Sequence, residues 1–312
     1  MRIVVFGSLN FDTTLTVEHQ PAWGETILAE RASTAAGGKG ANQAVAAARI
    51  GRSPVAMVGR VGADGAGAFL RAQLATSGVT DLVHTDPALA TGGAFILRSP
   101  AGENAIVVAA GANDNVTVED LAAMPDPEQP SVLVVQLEIP LAAVAGAIQH
   151  ARRHGWHVLL NTAPVRPGAE SLVDGVDMLV ANEVEAAQLT GVTVLDAGDA
   201  ATAGAILLQR GASRVAITLG AQGAVLVSRA GAWHAPAPVV DVVDTTAAGD
   251  AFVGALAVAM AEALADPDAL ALAVAAGSLA TTRAGAQPSL PDRASVLSLA
   301  PTVGVETFAA VE

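Results

Sequence analysis

SVLVVQLEIPLAAVAGAIQHARRHGWHVLLNTAP, residues 131–164, decides the architecture. Its first run, SVLVVQLE, is apolar at nearly every position before Gln136 and Glu138. A strand with no polar face has no side to give to water, so it predicts burial on both faces. LAAVAGAIQHARRHG follows as a helix, and HVLLNTAP repeats the apolar run. A strand, a helix and a second doubly buried strand predict a parallel pair with the helix packed across it.

The same alternation extends outward in both directions. RIVVFG (2–7) reads as a strand, ANQAVAAARIG (41–51) as a helix closed by Gly51, and VAMVGRVG (55–62) as a strand. GAGAFLRAQLATSG (65–78) is a helix ending at Gly78, and MLVANEVEAAQLTG (178–191) is a strand running into a helix. ATAGAILLQRG (201–211) and RVAITLG (214–220) complete the series. The expectation is an α/β fold, a doubly wound and mostly parallel sheet flanked by helices. Ligands in such sheets sit beyond the carboxyl ends of the strands. There the polar residues gather: Asn10 and Asp12, Gln136 and Glu138, Asn161, Asn182 and Glu185, Thr218 and Gly220.

Two segments break the pattern. FDTTLTVEHQ (11–20) alternates apolar and polar residues, and GGAFILRSPAGENAIVVAAG (92–111) reads as a hairpin turned at 99–103. With ETILAERAST (25–34) they predict a small second sheet over the strand ends, a lid. The organisation expected is one domain, 1–312, with lid strands inserted at about 11–34 and 92–110.

Composition narrows the function classes. There are 30 acidic against 16 basic residues, a net charge of −14, and no basic stripe, which argues against nucleic acid as a partner. Hydrophobic residues make up 52%, much of it alanine, and the apolar run 251–261 is far short of the ~20 residues that span a bilayer. MRIVVFGSLNFD reads as a buried first strand and not as a signal peptide. The absence of cysteine excludes disulfides and thiolate metal sites. Together these predict a cytoplasmic chain with no membrane partner.

Lys39 is the only lysine among the 16 basic residues, set between glycines in AAGGKGANQAVAAARIG. A slot fitting only a compact ammonium would explain it, and chance survival of an exposed lysine is the plainer alternative. No Walker-A or dinucleotide fingerprint occurs: Lys39 is followed by Gly40, and GSLN and GADGAG have the wrong spacing. DTTAAGDAF (244–252) is the main candidate site. Its small residues let Ala247, Ala248 and Gly249 present N–H groups at the positive start of a helix expected over 250–263. Such a turn stabilises charge on a transferring phosphoryl group, and Asp250 beside it is a general base or simply a helix cap. NEVE (182–185) could order Mg²⁺ through Glu185, or merely start a helix. His150, His154 and His157 lack an acid in a zinc pattern and suit a helix end instead.

Taken in order, GSLNFD, GGKGANQAVAAARIG, GRVGADGAG, GENAIVVAAGAN, QLEIP, NTAP, NEVE, TLGAQG and DTTAAGDAF resemble the ribokinase family of carbohydrate kinases, the PfkB superfamily, over nearly the whole chain. The resemblance implies ATP-dependent phosphorylation of the primary hydroxyl of a pentose, D-ribose first. Another furanose (a nucleoside or deoxyribose) and a catalytically silent sugar sensor are the alternatives. It implies that Asn10, Asp12, Gly38, Lys39, Gly40, Asn42 and Glu138 bind the sugar. ATP would meet Asn182, Thr218, Leu219, Gly220, Gly223 and Gly249. Ala247, Ala248 and Gly249 would be the anion hole, Asp250 the base, and Glu185 the residue ordering Mg²⁺. A K⁺ site maps onto Asp244, Thr246, Ala280, Arg283, Gly285 and Ser289. Val274 stands where many members carry an asparagine beside the adenine. A homodimer through the lid is implied as well, burying Phe95, Leu97, Ile106 and Val108 against a second copy.

Overall fold

The computed structural model describes residues 1–99 and 104–308. In chain order the first strands are β1 (Arg2–Phe6), β2 (Asn10–Thr16), β3 (Arg31–Gly37), β4 (Val55–Val58), β5 (Arg60–Gly62), β6 (Thr80–Asp81), β7 (His84–Asp86), β8 (Gly92–Arg98) and β9 (Asn104–Ala109). They are followed by β10 (Ser131–Val135), β11 (His157–Asn161), β12 (Met178–Asn182), β13 (Arg214–Thr218), β14 (Ala224–Ser228), β15 (Gly231–Ala235) and β16 (Glu306–Phe308). The helices are α1 (Lys39–Ile50), α2 (Gly65–Thr76), α3 (Val118–Ala122), α4 (Leu141–Arg153) and α5 (Glu183–Thr190). The remainder are α6 (Ala197–Gln209), α7 (Ala248–Ala261), α8 (Asp266–Ala280) and α9 (Arg293–Leu299).

A ten-stranded sheet runs β16-β15-β14-β13-β12-β11-β10-β1-β4-β6, parallel from β6 to β13 and antiparallel from β13 to β16. Its strands carry apolar residues on both faces, as read from residues 131–164. Ile3 and Val5 of β1 join the core under α1, α7 and α8, while Val4 and Phe6 join the core under α4 and α6. Strand order reverses between β1 and β10, so the crevice beyond Phe6 and Val135 is a topological switch point.

A four-stranded sheet, β3-β2-β8-β9, pairs β2 with β3 antiparallel and with β8 parallel. Phe95, Ile106 and Val108 are exposed on it, and Leu97 is partly covered. Of the proposed turn at 99–103, residues 100–103 lie outside the described residues.

The structure corrects several boundaries. Residues 25–30 form no strand; only Arg31 onward pairs with β2. The run 55–62 is two strands, because the chain turns at Gly59, where a Cβ would lie 2.5 Å from the Gly7 carbonyl. The DTTAAGD helix begins at Ala248, not at 250, and ends at Ala261. It crosses α1 closely because Gly254 leaves room: a Cβ there would meet the Ala46 methyl at 2.6 Å. Among the described residues no helix is long and apolar enough to cross a membrane.

Candidate active site

The chain leaves β1 through Gly7 and Ser8, and α1 starts directly beside it. Gly38 takes φ 87°, which turns the first amides of α1 toward the strand end. Glu138, just past β10, fills that corner: its Oε2 accepts from Ser8 Oγ at 2.6 Å and from the Lys39 N–H at 3.0 Å. Gly40 in turn donates to Ser8 Oγ at 3.3 Å.

Asn10 and Asp12 reach the same corner from β2. Asn113 holds the first, accepting from the Leu9 N–H at 3.0 Å and donating to Asn10 Oδ1 at 2.8 Å. The Asp12 carboxylate lies against Gly37, where a Cβ would sit 2.0 Å from Oδ2. Among the described residues Asp12 Oδ1 and Asn42 Oδ1 are buried acceptors with no partner. Burial, and then Glu138 and Asp250, push the Asp12 carboxyl up to about 7.

Asp250 occupies the third position of α7 and is buried. Its Oδ2 accepts from Asn42 Nδ2 at 2.9 Å and its Oδ1 from Gln43 Nε2 at 3.0 Å. It therefore does not cap the helix; the N-cap is Ala247, whose side chain makes no capping bond. Burial raises the Asp250 carboxyl above its ordinary value, against the pull of Lys39, Asn42 and Gln43. For Lys39 burial opposes the charge, yet Asp250, Glu138 and Glu185 outweigh it and hold the ammonium above its usual value.

Ala247 sits in the left-handed region, φ 61° and ψ 10°, a strained backbone for a residue with a Cβ. Of the turn amides, Ala248 N–H folds back on the Thr245 carbonyl at 3.2 Å. Ala247 and Gly249 line a cavity of about 220 Å³ with Lys39, Asn161, Glu185 and Asp250. Ala248 faces the groove beside it. NEVE forms a capping box, Asn182 Oδ1 accepting from Glu185 N at 2.8 Å and Glu185 Oε2 from Asn182 N at 3.0 Å. The helix-start reading therefore holds, and both side chains also line the cavity.

The adjoining groove, about 670 Å³, takes Thr218, Gly220 and Gly223 from the β13–β14 turn. Its other wall is the 237–242 segment with Phe252, Val274 and Gly277, largely apolar. Leu219 does not line it: the side chain is buried, and its N–H is bonded to the Gly223 carbonyl at 2.8 Å.

Behind the turn, Asp244 gathers its neighbours. Its Oδ1 accepts from Thr246 N and Oγ1 at 3.0 and 2.6 Å, its Oδ2 from Gly285 N at 3.0 Å, with Arg98 at 3.8 Å. Val243 and Asp244 N–H groups rest on the Thr281 carbonyl, one residue past Ala280. Ser289 Oγ donates to Ala286 O at 2.8 Å, and Arg283 is exposed.

The sequence pattern did not single out Ser8, Gln43 or Asn113. A glutamine within the run ANQAVAAA was the available signal: a long polar side chain on a helix otherwise made for burial.

The pattern of the pfkB family carbohydrate kinase matches residues 1–293. A ribokinase of Haemophilus influenzae is 38% identical over 299 residues, 95% of this chain and 97% of its own length. A deoxyribokinase of Salmonella typhi is 35% identical over 294 residues, 93% of this chain and 96% of its own. The solved structure of Arabidopsis thaliana ribokinase complexed with ribose and ATP superposes with a TM-score of 0.88. It is 34% identical and covers 96% of this chain and 98% of its own.

Proposed function

The chain belongs to the pfkB family of carbohydrate kinases, and we propose that it phosphorylates D-ribose with ATP, at the primary hydroxyl, giving D-ribose 5-phosphate. One observation carries the sugar assignment. Asp12 Oδ1 and Asn42 Oδ1 are buried acceptors without donors among the described residues, Asn42 bonded through its amide nitrogen to Asp250 and Asp12 close enough to feel the Asp250 charge. Buried acceptors left unmatched are costly, and a ligand with several hydroxyls supplies the missing donors.

The residues then divide the work. Asn10, Asp12, Asn42 and Glu138 hold the sugar, with the Gly38–Gly40 backbone beside them. Asp250 takes the proton of the primary hydroxyl as its oxygen attacks the γ-phosphorus. The bond from that phosphorus to the β–γ bridging oxygen breaks, and ADP leaves with the electron pair. Lys39 and the N–H groups of Ala247 and Gly249 face the charge that develops on the transferred group; the Ala248 N–H, spent on the Thr245 carbonyl, drops out of the expected anion hole. The nucleotide lies along Asn182, Thr218, Gly220 and Gly223, its base against the apolar wall. No side-chain amide meets it at Val274.

Glu185 fits a water-mediated Mg²⁺ site, since only one of its oxygens is engaged by the Asn182 N–H on the cavity wall. When bound, Mg²⁺ supplies charge neutralisation to the phosphates. Asp244, Thr246, Ser289 and the carbonyls near Ala280, Arg283 and Gly285 are the oxygen set for K⁺, and Thr246, Gly285 and Arg98 keep the Asp244 carboxyl ionised despite its burial.

The small sheet acts as a lid on a single kinase domain, and its exposed Phe95, Ile106 and Val108 suit a two-fold partner. A monomer in light scattering at micromolar concentration would remove the dimer. ATP as substrate fits a cytoplasmic setting. The deciding experiment is turnover with ATP and Mg²⁺ over pentoses, deoxyribose, hexoses and nucleosides. Ribose should give the highest kcat/KM; a higher value for deoxyribose would reassign the substrate, and no turnover on any sugar would leave only a sensor.

A further inference from the structure

Gln43 and Gln136 have no place in the mechanism above, yet both are fully buried beside it. Neither lines the cavity. Gln43 Nε2 donates to Asp250 Oδ1 at 3.0 Å and to Asn161 Oδ1 at 3.1 Å, and its Oε1 accepts from Gln136 Nε2 at 2.7 Å. Each donor and acceptor of the Gln43 amide is thus matched. Turning the amide over would set its oxygen against the Asp250 carboxylate and its N–H groups against those of Gln136. Gln136 Oε1 is a buried acceptor with no partner among the described residues, so Gln136 could turn with it, but the repulsion between the Gln43 oxygen and the Asp250 carboxylate stays and gives the Gln43 amide one sense.

We infer that Gln43 is a positioning residue for the base, with Gln136 as the anchor that fixes Gln43. The pair holds Asp250 Oδ1 from behind while Asn42 holds Oδ2, so the plane of the carboxylate is set before substrate arrives. This rests on Asp250 being the base. The line of amides reaches from β10 through α1 to α7, and it joins the strand end at the switch point to the helix that carries the chemistry.

The charged groups facing Asp250 are Lys39 from α1, Glu138 from the β10 end and Asp12 from β2. Lys39 favours the ionised base and the two acids oppose it. In that balance the Gln43 N–H is one of two side-chain hydrogen bonds favouring the carboxylate. Its removal makes protonation easier, so activity is lost at a higher pH as the solution is acidified.

The test is the pH dependence of kcat at saturating sugar and ATP, which reports the groups of the complex. Gln43→Met keeps length and removes the donor; its acid limb should move up by about one pH unit. Gln136→Met leaves Gln43 Oε1 buried without its donor, which loosens the Gln43 side chain, and should move the limb the same way by less. The double variant should match Gln43→Met alone, since both act through one contact. Lower kcat with unmoved limbs would reduce the pair to packing and overturn the inference. If Gln43→Met does not fold, the limb of Gln136→Met decides by itself. Asp250→Asn run alongside separates the two failures: a normal rate there sinks the base reading, whereas a dead variant with unmoved limbs sinks only this one.

Discussion

Asp250 stands at one end of the cleft among side chains brought from α1, β2, β10 and α7, with Asn42 and Gln43 bonded to its two oxygens. Val239 stands at the other end on the 237–242 segment, fully exposed over the groove. Around Asp250 the walls are charges and amides, bonded to one another except at acceptors such as Asp12 Oδ1 and Asn42 Oδ1. Around Val239 they are Ala237, Pro238, Val240 and the glycines of the β13–β14 turn. A site of buried polar side chains fails when one atom is changed, because the partner left behind keeps its full desolvation cost. A wall of methyl groups and backbone keeps its shape when a side chain is exchanged. The two ends should therefore differ sharply in their tolerance of substitution.

The hardest blow to that contrast would come from Asp250→Asn. The Asn42 amide can turn to meet the new side chain, so the variant should melt near the parent and still bind sugar. Its kcat should fall about 10²–10⁴-fold, the usual cost of losing a general base. Near-normal turnover would make the buried end no more demanding than the groove. Lys39→Arg follows, with an expected loss of about 10²-fold in kcat, as for one lost donor to a developing anion. The Lys39 side chain lines the cavity beside Asp250, and a planar, forked guanidinium would not put its charge where the compact ammonium does. Parent-like turnover in this variant would mean that charge alone suffices.

Asp12 sharpens the comparison through pH. Its carboxyl is raised from 3.8 to about 7, so the folded chain keeps a proton there that the unfolded chain releases. That contribution to stability is present at low pH and is lost as pH rises through 7. If Asp12 holds the sugar as proposed, hydroxyls donating to it favour the ionised form. Ribose should bind about tenfold tighter at pH 8 than at pH 6, with proton release near neutrality seen by calorimetry in two buffers. Asp12→Asn should bind weakly at both; a wild-type affinity flat over this range would contradict the linkage.

Replacing K⁺ by a bulky organic cation at constant ionic strength should lower kcat several-fold, where simple screening is blind to cation identity. Equal rates in the two salts would empty the Asp244 site of its role. The smallest effect belongs to the groove: Val239→Ala should change the KM for ATP by no more than about twofold. A loss approaching that of Lys39→Arg would show that the apolar wall is as exacting as the charged one.

Much of the site was legible before the fold. The lone lysine between glycines, the DTTAAGD turn and the acids after strand ends lie in one corner of the structure. The fold class was legible because doubly buried strands and amphipathic helices differ in period. Asp250 could not be told from a cap, since both readings place an acid at the start of a helix. Its bonds to α1 speak against the cap, and the rate of Asp250→Asn tests the base.

The sequence by itself determined the alternation of strands and helices, the parallel sheet and the small-residue turn, because each is written in neighbours a few positions apart. The tertiary structure alone decided that Gln43 meets Asp250, 207 residues away, that Asn113 meets Asn10 across 103, and that Ser8 meets Glu138 across 130. A polar side chain in an alanine-rich stretch looks the same to a local pattern whether it faces water or a carboxylate. What distinguishes the two is the partner that the folded sheet carries to it.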